Sequence, residues 1–362
     1  MVMLDQLRTF ISFRSVGKDT AAKTACLDWI LKEFLSASGV TPVRGDVKGA
    51  PYIFLRHNHP KLLWFGHTDV VPGRDDQFTV KIEGDHALGR GVKDMKGADL
   101  AFLIAYRDAC TSGHIPPVSV LLTSDEETGG HTPEVLLDQK ILGEIPVAFT
   151  PDTGEADGIV TELKGALWAR LVASGSSGHA ATPWKSCNPV PLLVDALKIL
   201  AEKYPSGSET DWGVTVTPTQ LRGSDAFNRI PDSASCILDI RFPPTIWKNT
   251  AEAAREISQH LPSDCHLEEV EHADPTFCNA KHPMVLTLKR IAEEVEGKSV
   301  PILREHGASD ARFFTAHGIP AFLYGPVGGD LHGANEWVSI PSLERQVEVN
   351  RRWLEQLNSQ EK

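Results

Sequence analysis

Short apolar segments alternate with amphipathic ones along most of this chain, and this alternation limits the possible fold more than any other feature. Residues 62–65 and 118–123 are apolar runs short enough to be buried strands. Residues 95–110, between them, have the apolar spacing of a helix. Strands that alternate with helices predict an α/β fold in which the sheet is largely parallel.

The alternation is interrupted between residues 165 and 276. The predicted elements there are a strand, a helix, two strands, a helix and a strand, at 167–173, 189–203, 213–221, 234–242, 250–260 and 266–271. This β-α-β-β-α-β order is typical of a ferredoxin-like unit. We therefore predict an α/β domain formed by residues 1–164 and 277–362, with a small α+β domain, residues 165–276, inserted into it.

Composition excludes several classes of partner. The 362 residues include 36 basic and 48 acidic side chains, a formal charge of −12, so we expect neither nucleic acid nor an anionic membrane as a partner. Six scattered cysteines without a C-x-x-C pair indicate reduced thiols. Asp5 and Arg8 lie where a signal peptide would be apolar, and no apolar run approaches the ~20 residues of a membrane span. We expect a soluble cytoplasmic protein.

The strand at 62–65 ends in the segment G-H-T-D, which places His67 and Asp69 on the same side of an extended chain. Open α/β sheets bind ligands at the carboxyl ends of their strands. A metal-bound imidazole commonly gives its other N–H to a carboxylate, so this pair suits a metal site. Taken alone, H-x-D is also what an ordinary polar loop contains.

Four further segments place an acid or a histidine at a strand end or a helix start. The segment G-R-G-V-K-D ends in Asp94 just before the helix at 95–110, where an aspartate can also be a simple helix cap. The other three segments supply Glu127, Asp152 and His332. Glu127 belongs to the run S-D-E-E, and such acidic runs can also form a solvated surface.

The five side chains together are more informative than each one alone. Two imidazoles and three carboxylates would meet at one edge of the sheet, a concentration of negative charge that requires cations. The set is right for two divalent metal ions that share one carboxylate, about 3.5–4 Å apart. Nitrogen and oxygen donors without a thiolate suit Zn²⁺, and also Co²⁺ or Mn²⁺.

The order of the motifs G-H-x-D, G-R-G-x-x-D-M-K-G, S-D-E-E, P-D and a late histidine resembles the zinc-dependent aminoacylase and carboxypeptidase family. Succinyl-diaminopimelate desuccinylase, acetylornithine deacetylase and several di- and tripeptidases are members. The resemblance covers nearly the whole chain. It implies a hydrolase that cleaves an amide bond of a small N-acyl amino acid or peptide. Desuccinylase or deacetylase activity is the first expectation, and dipeptidase, aminopeptidase or carboxypeptidase activity is the alternative.

The resemblance also implies which residues hold two divalent ions, most simply Zn²⁺. Asp94 would bridge the ions, and the peptide bond that follows this residue is often cis in the family. His67 and Asp152 would complete one site, and Glu127 and His332 the other.

Three more residues take catalytic roles through the same resemblance. Asp69 would orient the neighbouring histidine ligand, and Glu126 would be the general base. His179, in the segment S-S-G-H-A-A-T-P, would steady the oxyanion, commonly from a partner subunit. The inserted domain resembles the family's lid, which often also forms a homodimer.

The residues that recognise the substrate match less closely. Asn228 and Arg241 lie in segments that resemble lid elements holding a substrate carboxylate, and Ser309 lies in a desuccinylase-like segment. Lys164 stands where the desuccinylases have an arginine-rich turn, and lysine lacks the bidentate fork of arginine. Position 152 is Asp, as in the family's dipeptidases and aminopeptidases, whereas its deacylases usually carry Glu. A two-metal phosphoesterase and a non-catalytic binding relative are the rival classes.

Overall fold

The structure is a computed structural model that describes residues 2–36, 39–113, 115–208 and 210–359. Its α-helices are α1 (Val2–Ser12), α2 (Thr20–Ile30), α3 (Lys96–Thr111), α4 (Thr132–Asp138), α5 (Pro189–Lys203), α6 (Thr250–Ser258), α7 (Pro283–Glu296), α8 (Ala311–Ala316) and α9 (Ile340–Ser359). Its strands are β1 (Val43–Val47), β2 (Ala50–Leu55), β3 (Leu62–His67), β4 (Lys81–Glu83), β5 (His86–Leu88), β6 (Val118–Thr123), β7 (Ala148–Thr150), β8 (Ile159–Leu163), β9 (Gly165–Ser174), β10 (Gly178–His179), β11 (Thr215–Arg222), β12 (Arg229–Ile230), β13 (Ser233–Phe242), β14 (Cys265–Ala273), β15 (Thr276–Phe277), β16 (Ile302–Glu305), β17 (Ala321–Leu323), β18 (Gly328–Gly329) and β19 (Trp337–Ser339).

The described residues divide into two compact units. The first unit contains Met1–Thr161, Phe277–Glu305 and Ser309–Lys362, and the second contains Glu162–Thr276 and His306–Ala308. The chain leaves the first unit within β8 and returns to it within β15. These two strands are hydrogen-bonded neighbours in one sheet.

The first unit is built on a large mixed sheet with the strand order β1-β2-β6-β3-β7-β17-β8-β15, and β16 also pairs with β8. Its centre is parallel, because β3 pairs in parallel with β6 and β7, and β17 pairs in parallel with β7. Every residue of β3 and β6 is buried, as expected for strands covered on both faces. The α/β architecture agrees with the alternating pattern, but the sheet is parallel only at its centre, because β1–β2, β2–β6 and β17–β8 pair antiparallel.

Aromatic side chains fasten helices to this sheet. Trp64 of β3 stacks on Phe102 of α3 with 4.0 Å between ring centroids and 5° between ring planes. Phe149 of β7 packs edge-on against Trp353 of α9 at 4.8 Å. All four side chains are buried. The helix α3 is therefore part of the core. The loop that carries Asp94 ends where this buried helix begins.

The second unit contains a four-stranded antiparallel sheet with the order β11-β13-β9-β14. Alternate residues of β13 are buried, which is the period of a strand with one covered face. The core on that face includes Leu193 and Ala196 of α5 and Ile257 of α6. A separate two-stranded ribbon pairs β10 with β12.

One helix is shorter than the sequence suggests. The apolar spacing favours a helix over 133–142, but α4 ends at Asp138. Lys140 then takes a left-handed backbone conformation, with φ +56°, and its N–H bonds to the carbonyl of Leu137. The chain turns there, although Leu142, which completes the helical spacing, is buried.

Two remaining observations concern the cysteines and the helices. All six cysteines are free thiols, and five of them are buried.

Among the helices of the described ranges, none has both the length and the apolar character needed to cross a membrane.

Candidate metal centre

Five side chains of the first unit form two overlapping groups of possible ligand atoms. His67, Asp94 and Asp152 form one group, and Asp94, Glu127 and His332 form the other. Within a group, one ligand atom from each residue lies within 4.8 Å of the others. The structure thus brings together the five residues that the sequence nominates as ligands, with Asp94 common to both groups.

Four of the five residues lie at or near the end of a regular element, and His332 lies in the loop between β18 and β19. His67 is the last residue of β3, Asp152 lies two residues after β7, and Glu127 lies in the 3₁₀ turn that follows β6. These three strands are parallel, so their carboxyl ends meet at one edge of the sheet. Asp94 lies two residues before α3, and the peptide bond that follows it is cis, as the family resemblance implies.

Asp94 lies between the two histidines. His67 Nε2 is 3.1 Å from its Oδ1, and His332 Nε2 is 3.1 Å from its Oδ2. Burial raises the pKa of Asp94, but the hydrogen bonds from the two imidazoles outweigh this effect and lower it. His332 Nε2 is also 3.1 Å from Glu127 Oε2, and its hydrogen bonds to Asp94 and Glu127 raise its pKa to about 10.

The donor set fits a pair of divalent cations. Burial and the nearby charge of Asp94 raise the pKa of Asp152, and burial raises the pKa of Glu127. Asp152 and Glu127 therefore resist ionisation beside Asp94, a cost that bound cations would remove. The ion pairs of Asp94 and Glu127 among the described residues are with the two histidines. Nitrogen and oxygen donors of this kind suit Zn²⁺, Co²⁺ and Mn²⁺.

Two of the predicted residues contact the ligands from behind. The Asp69 Oδ1 atom lies 3.5 Å from Nδ1 of His67, while its Oδ2 accepts the backbone N–H of Glu127 at 3.1 Å. Ser309, which the resemblance associates with substrate, donates its hydroxyl to Oδ2 of Asp152 at 2.7 Å. Both side chains are buried and both restrain a ligand.

Glu126 precedes Glu127 in the same turn. Burial, and after it the nearby charge of Asp310, raises the pKa of Glu126 well above its ordinary value. Asp310 is itself buried, and burial raises its pKa to about 8. Within the described residues, neither carboxylate oxygen of Asp310 has a hydrogen-bond partner, and Arg312 Nη2 lies 3.8 Å away. Burial and the neighbouring carboxylate of Asp310 thus favour the protonated form of Glu126 more than water does.

The other candidate residues belong to the second unit. His179 lies in the β10–β12 ribbon, where the carbonyl of Asn228 accepts the N–H of Ala180 at 2.9 Å. The side chains of His179 and Asn228 are exposed. The ribbon therefore brings two of the predicted substrate-facing residues close together in the chain's fold.

Lys164 and Arg241 lie near each other in the same unit. Burial, with the charge of Arg241 as the next cause, lowers the pKa of Lys164. The Lys164 ammonium is 5.2 Å from the ring centroid of Trp212. The side chain of Arg241 contacts residues of the sheet of the second unit. Its Nε donates to Asp239 Oδ1 of the same strand at 2.6 Å, and its guanidinium lies over Trp168 of β9 at 4.8 Å.

Three buried charged residues beside the candidate ligands are not among the residues predicted from the sequence, namely Arg90, Lys93 and Glu336. A signal for them exists in the sequence. Each is a charged residue within the same glycine-rich motif as a nominated ligand, so its nearness to that ligand in the chain, though not its burial or its contacts, is visible in the sequence.

Residues 63–356 match peptidase family M20/M25/M40, and the chain therefore belongs to this family. It is a hydrolase that acts on amide bonds. Among its relatives is a succinyl-diaminopimelate desuccinylase of Granulibacter bethesdensis, which is 33% identical over 348 residues, covering 87% of this chain and 88% of the relative.

Solved structures share the fold over nearly the whole chain. Aminopeptidase PepT from Bacillus cereus matches with a TM-score of 0.78 and 19% identity, covering 98% of both chains. The YXEP protein of Bacillus subtilis, described as a dinuclear metal binding peptidase from the M20 family, matches with a TM-score of 0.69 and 12% identity, covering 98% of this chain and 97% of that one.

Proposed function

We propose that this protein is a two-metal amidohydrolase that removes the acyl group from a small N-acyl amino acid. This is the reaction class of succinyl-diaminopimelate desuccinylase and acetylornithine deacetylase. The observation that carries the proposal is that Asp94 belongs to both ligand groups, since a shared carboxylate is what two neighbouring metal ions require. The desuccinylase relative, 33% identical over 87% of this chain, supports an acyl amino acid as substrate.

In this proposal each ligand group holds one divalent ion. His67, Asp94 and Asp152 would bind the first ion, and Asp94, Glu127 and His332 the second. The donor atoms make Zn²⁺ the first candidate, with Co²⁺ and Mn²⁺ as alternatives. When bound, the two ions supply Lewis acidity, which lowers the pKa of water and polarises the carbonyl to be attacked.

Glu126 moves the proton in the reaction. Its carboxylate accepts a proton from the attacking water, and the same carboxyl group donates it to the amine nitrogen as the C–N bond breaks. A raised pKa suits both steps, because the group must hold the proton between them. Asp69 keeps the His67 ring and the backbone of Glu127 in place meanwhile.

The second unit is proposed to be an inserted ferredoxin-like lid, residues 165–276, that also forms a homodimer. The strand order β11-β13-β9-β14 with two helices supports the ferredoxin-like assignment. The resemblance gives His179 the role of holding the oxyanion, a role worth about 10²–10³ in kcat for one such donor. Asn228, Arg241, Lys164 and Ser309 remain the proposed substrate-binding residues.

A di- or tripeptide is the second candidate substrate. The observation that favours it is Asp152, the shorter of the two acids, which in the family is typical of dipeptidases and aminopeptidases. The ligand set and the proton chemistry of Glu126 would be the same, because both substrates contain the same amide bond. The choice between them therefore concerns the residues that contact the ends of the substrate.

A substrate panel tests the proposal. The protein would be loaded with Zn²⁺, Co²⁺ or Mn²⁺ and assayed on N-succinyl-diaminopimelate, N-acetylornithine, di- and tripeptides, and a phosphate monoester. We expect the highest kcat/KM on an N-acyl amino acid. Hydrolysis confined to peptides would select the second candidate. Hydrolysis of the phosphate ester alone, or two bound ions with no turnover of any amide, would refute the function.

A further inference from the structure

Three buried charged side chains lie behind the candidate ligands without belonging to either ligand group. Arg90, Lys93 and Glu336 are 3%, 1% and 1% exposed. Burying a charge is costly, and replacing a buried ion pair by apolar residues is often neutral for stability. Stability alone does not account for burying these charges. Each of the three side chains forms hydrogen bonds with a loop that carries a candidate ligand.

Glu336 holds the loop that ends in Asp94. Its carboxylate accepts hydrogen bonds from three backbone N–H groups of this loop, those of Gly91 and Lys93 at 2.9 Å each and that of Asp94 at 3.1 Å. The side chain is wholly buried. Because the donors include the N–H of the shared ligand itself, the position of Asp94 depends directly on this carboxylate.

Arg90 joins that loop to the one carrying His332. Its Nη1 donates to Glu336 at 2.8 Å, and its Nη2 donates to the carbonyls of His332 at 3.0 Å and Gly333 at 2.9 Å. His332 has a left-handed backbone, φ +61°, which is uncommon for a residue other than glycine and needs support from its surroundings. The guanidinium supplies that support at the carbonyl of the same residue.

Lys93 makes the corresponding link to the third loop. Its Nζ donates to the carbonyl of Thr153 at 2.8 Å and to the Thr153 hydroxyl at 2.9 Å. Thr153 follows Asp152 directly and is buried. The two cations thus run from one loop, residues 89–94, to two different ligand loops.

We propose that Arg90 and Lys93 are positioning residues that each serve one metal site. The Arg90 link fixes His332 relative to Asp94, and so defines the site completed by Glu127. The Lys93 link fixes Asp152 relative to Asp94, and so defines the site completed by His67. The inference rests on the proposed two-metal function, and it predicts that the two sites can be weakened one at a time.

The matched variants are Arg90→Met and Lys93→Met, which remove one link each and retain an unbranched side chain. Metal-free protein would be titrated with Co²⁺, using calorimetry for affinity and the visible absorption of Co²⁺ for coordination. Wild type is expected to bind two ions. Each variant is expected to bind one ion with wild-type affinity and the other about 10–100-fold more weakly, the usual effect of losing a group that orients a ligand.

Ligand variants identify the affected site. With Asp152→Ala, one site is already impaired, so adding Lys93→Met should change nothing further, whereas adding Arg90→Met should weaken the remaining ion. With Glu127→Ala the outcomes should be reversed. Thr153→Val replaces Lys93→Met if that variant does not fold. It removes only the hydroxyl acceptor of Lys93, so it should weaken the same ion to a smaller extent.

Arg345→Met is the control, because it breaks an ion pair with Glu296 that is made at 2.7 Å and contains no residue of the candidate centre. It should bind both ions as wild type does. The inference is overturned if Arg90→Met and Lys93→Met weaken both ions equally, or if both bind two ions with wild-type affinity. If wild type itself binds fewer than two ions, it is the two-metal function that fails.

Discussion

The carboxylate of Asp69 accepts the backbone N–H of Glu127 at 3.1 Å, so it is joined to a second ligand besides the histidine it was predicted to orient. Its other oxygen lies 3.5 Å from Nδ1 of His67. His67 and Glu127 belong to different ligand groups. One buried side chain therefore restrains both groups at once, in contrast to the links made by Arg90 and Lys93.

We predict that Asp69→Ala weakens both metal ions. The substitution removes the charge beside Nδ1 of His67 and the acceptor of the Glu127 N–H together, while the 3.1 Å contact of Nδ1 with the backbone carbonyl of Asp69 is kept. Loss of a group that orients a ligand usually costs 10–100-fold in affinity or activity. Metal content after dialysis against buffers of decreasing free Zn²⁺ measures the effect. Asp75→Ala removes an exposed acid that pairs with Arg14, and it should leave the content unchanged. Retention of either ion at wild-type affinity in Asp69→Ala would contradict the prediction.

Glu126→Gln should abolish turnover while leaving the metal ions bound. The amide keeps the shape of the side chain but cannot accept the proton, and loss of a general base typically lowers kcat by 10²–10⁴-fold. Steady-state kinetics on the best substrate of the panel, together with metal analysis, measure both quantities. Glu134→Gln, in the exposed pair with His131, is the matched control. A kcat near that of wild type would assign the proton transfer to another group.

Removal of the metal ions should destabilise the first unit. Without cations the carboxylates of the candidate centre remain close together and only partly paired, whereas bound ions stabilise the native state by mass action. One ion present at 100 times its Kd contributes about 2.7 kcal/mol. Thermal unfolding with a chelator should therefore start at a lower temperature, and added Zn²⁺ should restore the midpoint. An unchanged midpoint would contradict the prediction that ions bind the folded chain in preference to the unfolded one.

His317 offers a pH-dependent test away from the metal centre. Partial burial lowers its pKa, but hydrogen bonds to the carbonyl of Phe313 at 2.7 Å and to Asp138 at 3.1 Å outweigh this effect and raise it. A raised folded-state pKa contributes stability that is complete below the unfolded value of about 6.5 and is lost as pH rises through the folded value.

Replacing Asp138 by Asn should lower the pKa of His317, which an NMR titration of the imidazole would measure. The stability difference between Asp138→Asn and wild type should then shrink above neutral pH. Glu144→Gln removes an acid that forms no ion pair within the described residues, so it serves as the control. An unaltered His317 titration in Asp138→Asn would disprove the role given to the pair.

The position of the candidate centre follows from local patterns. His67 and Asp152 are recognisable because each follows a short apolar run, and parallel strands bring such ends to one edge. The common direction of the strands is enough to group these residues, whatever the number of residues between them in the sequence.

The supporting contacts could not be reached in the same way. Arg90 and Glu336 are 246 residues apart, and Glu336 binds mainly backbone N–H groups, which carry no side-chain signature. By contrast, the pairing of Arg241 with Asp239 was accessible, because residues two apart in a strand face the same way. The helix α4 ends at a turn in which Lys140 has a left-handed backbone. Glycine usually takes this conformation, so a lysine at the position does not predict the turn.

The adjacency of β8 and β15 has a consequence for how such a chain can change over time. The N–H of Cys278 donates to the carbonyl of Thr161 at 2.8 Å, so the points where the chain departs from and rejoins the first unit are side by side. A segment inserted between two neighbouring chain positions leaves the pairing of the strands in the sheet of the first unit intact. If the first unit carries the chemistry and the inserted segment contacts the substrate, as proposed, the segment can be lengthened, shortened or exchanged while the chemistry is inherited unchanged.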